Sequence, residues 1–127
     1  MGQSQAPSDA HGLQQQLQSQ VAQDLFAQSI ARAGHPDFGL GQLIETAGAL
    51  MAAGRGDFAV QLYRVWVSAN PEHPQRYVAW FNCAVISSNR GDLDAARREL
   101  TEAITANPDF TAAYVNLGGV LERQGML

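Results

Sequence analysis

Lysine is absent from the 127-residue chain. Its eight arginines and twelve acidic residues give a net charge of −4. Scattered arginines at this density do not form the basic surface that follows a phosphate backbone, so no nucleic-acid partner is expected. Cysteine occurs once, as Cys83, which excludes an intrachain disulfide framework. No cysteine–histidine pair has the spacing of a zinc site, so we predict neither a metal nor another cofactor.

Long apolar runs are also missing, because glycine, asparagine or serine interrupts each one within about ten residues. No segment is therefore expected to span a bilayer, and the polar N-terminus lacks the charged and apolar regions of a secretory signal. These absences predict a cytoplasmic location and no membrane partner. Hydrophobic residues make up 46% of the chain, which suffices for one sizeable core.

The N-terminal segment predicts a tail followed by one long helix. Residues 1–12 are polar, contain Gly2, Pro7 and Gly12, and predict a disordered tail. From residue 13 to about residue 33, apolar residues recur about one turn apart, which predicts a helix with an apolar stripe and a glutamine-rich outer face. The stripe consists of Leu13, Leu17, Val21, Leu25, Phe26 and Ile30.

Short phrases recur along the rest of the chain. Three of them place prolines 35 and 37 residues apart, at Pro36, Pro71 and Pro108. Between these lie Gly56-Asp57-Phe58 and Gly91-Asp92-Leu93, in which glycine ends one helix in a left-handed cap and aspartate caps the next. The phrases predict a unit of helix, tight turn, helix and turn that repeats about every 34 residues.

This pattern resembles the tetratricopeptide repeat. In the unit that begins at Tyr77, seven residues fill the family's characteristic positions: Trp80, Ala84, Gly91, Ala96, Leu100, Ala103 and Pro108. The resemblance implies an all-α, right-handed superhelical array of about six helices in antiparallel pairs. It divides the chain into an N-terminal capping helix or degenerate repeat (13–36), a degenerate repeat (40–73), a repeat (77–110) and the first helix of a truncated repeat (111–127).

Three side chains depart from the family pattern: Trp66, Cys83 and Ser87. Trp66 stands where the family has a small residue, which predicts either splayed helices or a tryptophan that covers an adjoining helix. Cys83 falls at a position that faces the helix-pair core, and no histidine accompanies it in register. We interpret it as a small buried hydrophobe rather than a nucleophile.

No catalytic constellation is visible in the sequence, so the chain is predicted not to be an enzyme. Its histidines, which lie in tail or turn positions and are interpreted as solvated, are His11, His35 and His73. Glu99 and Glu102 share an amphipathic helix with Arg97 and Arg98, and we interpret that helix face as solvated rather than as an acid–base pair.

The resemblance implies a concave groove that binds a partner protein or an extended peptide. Its lining residues would be Val78, Phe81, Asn82, Val85, Asn89, Val115, Asn116 and Arg123. Asn82 and Asn116 occupy the same position one unit apart, where an amide can bond both the N–H and the C=O of an extended peptide. The alternative is that asparagine is simply common at this position. An adaptor for chaperone tails is disfavoured, because Arg123 is the sole cation of this groove.

Three stretches, 62–66, 77–82 and 108–125, are similar to the opening of bacterial SPINDLY-type glycosyltransferases, relatives of O-linked N-acetylglucosamine transferase. This resemblance implies the substrate-recruiting N-terminal region of a larger bacterial protein, although none of the sugar-nucleotide machinery is in these residues.

The last unit stops after its turn glycine, which predicts a cut from a longer chain. An alternative is a homodimerisation or assembly scaffold, in which the leading or the last helix packs against a second copy.

Overall fold

A computed structural model describes residues 6–126, with side chains described from Ala10 onward. It contains six helices: α1 (Ala6–Arg32), α2 (Leu40–Ala52), α3 (Gly56–Ala69), α4 (Arg76–Asn89), α5 (Leu93–Ala106) and α6 (Thr111–Arg123). Within this part of the chain there is no strand. Short connections join the helices, and each packs against the next, as α4 does on α5 and α5 on α6. The predicted all-α array of helix pairs is thereby confirmed.

Helix α1 begins earlier than the sequence indicates. Residues 6–12, assigned above to a disordered tail, form its first turns, whereas residues 1–5 of that tail lie outside the described residues. The reason lies in the backbone of Pro7, which stands in the first helical turn. A proline there removes an N–H that has no partner within the helix, so it starts a helix without cost.

Left-handed glycines end α2, α4 and α6 at matching points of the array. Gly54, Gly91 and Gly125 have φ angles of 76°, 85° and 74°. The first of these is Gly54 rather than Gly56, which is already helical and begins α3. Likewise Asp92 caps α5, accepting the N–H of Ala95 at 3.2 Å, but Asp57 caps nothing and pairs with Arg55.

The core has two clusters that meet at one tryptophan. The first joins α1, α2, α3 and part of α4, and the second joins the remainder of α4 to α5 and α6. Trp80, which is half-buried, packs against both clusters. Trp66 lies fully buried in the first, and its indole N–H donates to the carbonyl of Phe38 at 2.9 Å. Trp66 thus bonds the connection between α1 and α2, and the choice between splayed helices and a covered adjoining helix stays a prediction.

The first half of the α1 stripe is not part of this core. Leu13, Leu17 and Val21 are 58%, 66% and 65% exposed, so the prediction that they lie beneath a solvated face is wrong. Burial begins at Ala22, because the earlier residues of α1 extend past the helices that would cover them. From there the stripe does pack, with Leu25, Phe26 and Ile30 against the first cluster.

Candidate peptide-binding cleft

A cleft opens between α4 and α6. It has a volume of about 240 Å³ and is lined by Ala84 and Ser88 of α4, Leu100 of α5, and Val115, Asn116, Gly119, Val120 and Arg123 of α6. Of the residues predicted to line a groove, the structure therefore brings together Val115, Asn116 and Arg123. We refer to these eight residues as the α4/α6 cleft.

Hydrogen bonds tie one wall of the cleft to the other. The Nη1 atom of Arg123 donates to the Oγ of Ser88 at 2.8 Å and approaches the Ser88 carbonyl at 3.4 Å. These contacts cross from α6 to α4, so they set the width of the opening at one end. They use one nitrogen of the guanidinium, and the other nitrogens of Arg123 have no hydrogen bond among the described residues.

The two asparagines of the predicted ladder differ in their surroundings. Asn82 is half-buried, and its Nδ2 donates to the hydroxyl of Tyr63 at 3.4 Å. Burial raises the pKa of Tyr63, more than this hydrogen bond lowers it, so the hydroxyl stays protonated. Asn116 has no side-chain hydrogen bond within the described part of the chain, and the residue lines the cleft. The equivalent positions thus present one amide that is tied to α3 and one that is free.

The other predicted lining residues lie outside the cleft. Phe81 is half-buried and packs edge-on against Phe110, with ring centroids 5.0 Å apart, so its side chain belongs largely to the second core cluster. Val78 and Val85 are half-buried, and Asn89 is exposed at the last residue of α4. None of these four lines the α4/α6 cleft.

A buried carboxylate, which the sequence did not indicate, joins three helices. Glu99 of α5 is only 3% exposed, so its assignment to a solvated face is wrong. Its carboxylate accepts hydrogen bonds from the Oγ of Ser87 at 2.7 Å and from the Nε of Arg64 at 2.9 Å. The Sγ of Cys83 lies 3.2 Å from the same carboxylate. We call these four residues the Glu99 cluster.

The Glu99 cluster controls the protonation of its members. Cys83 is fully buried, as predicted, and burial together with the negative charge of Glu99 raises the pKa of its thiol far above the ordinary value. Partial burial lowers the pKa of Arg64, but the hydrogen bond and charge of Glu99 outweigh that effect and raise it. The thiol therefore stays protonated, and the cluster carries one ion pair rather than a nucleophile.

A second, smaller cleft lies between α1 and α2. It measures about 170 Å³, and its polar lining includes Gln28, Arg32, Gln42 and Glu45. Counting forward from Leu43 in the repeat pattern, Glu45 holds the position that Asn82 and Asn116 hold in the next two units. The sequence contained this signal, but the looser match of the first unit hid it.

The described residues contain no cluster of metal-ligating side chains. No three or more His, Cys, Asp or Glu side chains among them lie close enough to hold a metal ion. The side chain of His35 is 58% exposed, whereas His73 is half-buried with its ring 5.0 Å from that of Trp66. None of the helices in the described part of the chain combines the length and apolarity that crossing a bilayer requires.

Comparison with known proteins identifies the repeat. Residues 88–127 match the family model of the tetratricopeptide repeat. Over 84 residues the chain is 32% identical to DnaJ homolog subfamily C member 3 of Mus musculus, and equally to the proteins of that name from Homo sapiens and Bos taurus. These matches cover 66% of this chain and 16% of each relative, so the chain spans about a sixth of their length. Together with the six-helix array, they establish a fold of tetratricopeptide-type helix hairpins that includes a tetratricopeptide repeat.

Proposed function

We propose that this chain is a non-catalytic protein-interaction module that binds an extended peptide, or a partner protein through such a segment, along α4 and α6. The supporting observation is the α4/α6 cleft, where the free amide of Asn116 lies beside Arg123. An amide that is not bonded within its own chain can donate to and accept from a peptide backbone. Arrays of helix pairs commonly use such surfaces for extended partners.

Affinity purification with the full chain tests this proposal. A protein captured from a bacterial lysate is purified, and its affinity is then measured against the wild type, Asn116→Ala and Gln61→Ala. We expect Asn116→Ala to weaken binding by about tenfold, since a buried peptide hydrogen bond is lost, and Gln61→Ala to leave it unchanged. Gln61 is an exposed amide on α3 that lies outside the cleft. Equal affinity of all three proteins would overturn the proposal.

We further propose that the module recruits protein substrates to a cytoplasmic bacterial glycosyltransferase of SPINDLY type. Its support is the similarity of residues 62–66, 77–82 and 108–125 to the opening of that family. The expected observation is a glycosyltransferase coding region in the same reading frame after Leu127. A stop codon or an unrelated domain at that place would contradict this narrower proposal and leave the peptide-binding role intact.

A second candidate function is homodimerisation through α1. The exposed apolar stripe of Leu13, Leu17 and Val21 favours it, because solvent contact with three large apolar side chains on one helix face is unfavourable. Sedimentation velocity at micromolar concentrations is the test, with Leu17→Gln as the variant. A dimer that Leu17→Gln converts to a monomer supports this candidate, and a monomeric wild type rules it out.

A further inference from the structure

At residue 119 the wall of the α4/α6 cleft carries no side chain. Gly119 lines the cleft, and a Cβ atom built there would meet no atom within 4 Å. A glycine inside a helix weakens that helix relative to alanine, and neither a positive φ angle nor a close backbone approach requires one at this position. Gly119 therefore keeps open a space that a larger residue would fill.

The lining of the cleft defines what this space can hold. Its inner wall is apolar and buried, formed by Ala84, Leu100 and Val120, which are 1%, 1% and 3% exposed. Its volume of about 240 Å³ is smaller than the 300 Å³ or more typical of sites for drug-sized ligands. A single apolar side chain matches both the size and the chemistry of the cleft.

The rim adds a charge requirement. Arg123 lies at the rim, and among the described residues no carboxylate lies within ion-pair distance of its guanidinium. The bond to Ser88 fixes one nitrogen, which holds the guanidinium in place and leaves N–H groups to donate to a carboxylate. An acidic side chain next to the apolar one would complete this ion pair.

We infer that the α4/α6 cleft selects extended peptide segments in which an apolar side chain fills the space beside Gly119 and a neighbouring Asp or Glu pairs with Arg123. Asn116 then bonds the peptide backbone between them. This inference rests on the proposed peptide-binding function and adds the class of ligand. The acidic group is an internal side chain, so a free C-terminal carboxylate is not needed.

Selection from a library of random peptides displayed on phage tests the inference. The peptides are fused to the coat protein through their C-termini, so none offers a free carboxylate there, and the full chain serves as bait. We expect the enriched peptides to share a large apolar residue within two positions of an Asp or Glu. One of them, made synthetically, is then measured by fluorescence anisotropy against variants of the cleft.

Gly119→Leu and Gly118→Leu form a matched pair for this measurement. Both glycines lie in α6, and at both a Cβ atom meets nothing within 4 Å, but only Gly119 lines the cleft. We expect Gly119→Leu to weaken the affinity for the peptide by about tenfold or more, because the new leucine displaces the peptide's apolar side chain. Gly118→Leu should change that affinity by less than about twofold. Arg123→Gln should weaken the affinity for the acidic peptide about fivefold. It should leave unchanged the affinity for the same peptide with asparagine in place of its aspartate.

The outcomes separate the inference from the proposed function. Peptides that bind Gly119→Leu as well as the wild type, yet are lost with Asn116→Ala, would overturn the inference and leave peptide binding in place. Peptides without the shared acidic residue would do the same. If no peptide is enriched, or if enriched peptides are insensitive to both variants, the proposed function fails as well.

Discussion

At the scale of single residues, the buried carboxylate of Glu99 joins α3, α4 and α5 through Arg64, Ser87 and Cys83. Glu99→Ala should lower the free energy of unfolding by about 3 kcal/mol, because Ser87 loses its acceptor and Arg64 loses its counter-charge. The loss lies at the lower end of the range for buried pairs, since the side chain of Arg64 is 39% exposed and can be hydrated. Urea denaturation followed by circular dichroism measures the change.

Glu102→Ala is the control for this prediction. Glu102 lies on the same helix three residues later, is exposed, and forms no ion pair within the described residues. Its substitution should change the free energy of unfolding by less than about 0.5 kcal/mol. Comparable losses for the two variants would mean that the buried ion pair makes no special contribution.

Cys83 gives the molecule a predictable response to alkaline pH. Because its thiol pKa is raised by burial and by Glu99, the folded protein keeps a proton that the unfolded chain releases above about pH 8.5. The unfolded state then binds fewer protons, so the free energy of unfolding falls with rising pH, by up to about 1.4 kcal/mol per pH unit. Burial also raises the pKa of Tyr63, so this residue lowers the free energy of unfolding further at higher pH.

Comparison with Cys83→Ala isolates this effect. Urea denaturation at pH 8, 9 and 10 should show a steeper loss of stability for the wild type than for the variant, while the contribution of Tyr63 is common to both. The Arg64–Glu99 pair that faces the thiol is also present in both proteins. Parallel curves over this pH range would contradict a raised thiol pKa.

Residue 99 also shows where a single sequence stops being informative. A glutamate between Arg98 and Leu100 on an amphipathic helix has the same local pattern whether it faces water or a neighbouring helix. The partners that decide its environment lie 35 and 12 residues away along the chain. The buried state therefore depends on tertiary packing that periodicity does not encode.

At the scale of helices and turns, the glycines divide into two physical classes. Gly91 adopts a φ angle of 85° at the end of α4, whereas Gly118 lies within α6 with open space at its Cβ position. Gly91→Ala should lower the free energy of unfolding by about 1–2 kcal/mol, since an L-residue is strained in that conformation. Gly118→Ala should raise it by up to about 1 kcal/mol through helix propensity.

Thermal denaturation of the two variants decides this prediction, because each swap adds the same methyl group. Opposite shifts of the melting temperature are expected. Shifts of the same sign would show that backbone conformation does not distinguish the two positions.

The turns were the elements that the sequence predicted best. A glycine that ends one helix and an aspartate that caps the next act through neighbouring residues alone. The predicted turn at Gly91 and Asp92, between α4 and α5, therefore agrees with the structure. At Gly54-Arg55-Gly56 two glycines compete for one cap, and the pattern assigned it to Gly56, whereas Gly54 adopts the left-handed conformation. The start of α1 and its exposed leucines were missed for a different reason. Whether a periodic stripe is buried depends on how far the neighbouring helices extend.

At the scale of the whole molecule, Trp80 is the side chain that packs against both core clusters. Trp80→Ala should uncouple their unfolding, because contacts in such an array pass between neighbouring helices. Trp66 is then the remaining tryptophan of the two, so its fluorescence reports the first cluster, while circular dichroism reports all the helices. In urea, the two midpoints should separate by about 1 M in the variant and coincide in the wild type.

Trp80→Phe serves as the control, because it keeps an aromatic ring between the clusters. Its fluorescence and circular dichroism transitions should remain within about 0.2 M of each other. Coincident transitions in Trp80→Ala would show that the remaining contacts between the clusters, including the Arg64–Glu99 pair, suffice for cooperative unfolding.

The repeat pattern predicted the architecture, and three of the eight residues predicted to line a groove lie in the α4/α6 cleft. Small and large residues at fixed spacing specify how neighbouring helices pack, so the helix pairs followed from the sequence. The lining of the cleft depends on which side chains meet between α4 and α6. Asn116 and Arg123 line the cleft. Phe81 instead packs against Phe110, and Asn82 donates a hydrogen bond to Tyr63.

None of the side chains of the Glu99 cluster lines the α4/α6 cleft. The residues that join α3, α4 and α5 through the buried carboxylate are thus separate from those that line the cleft. Substitutions at positions 64 and 99 would therefore alter the packing of three helices and leave the chemistry of the cleft lining unchanged.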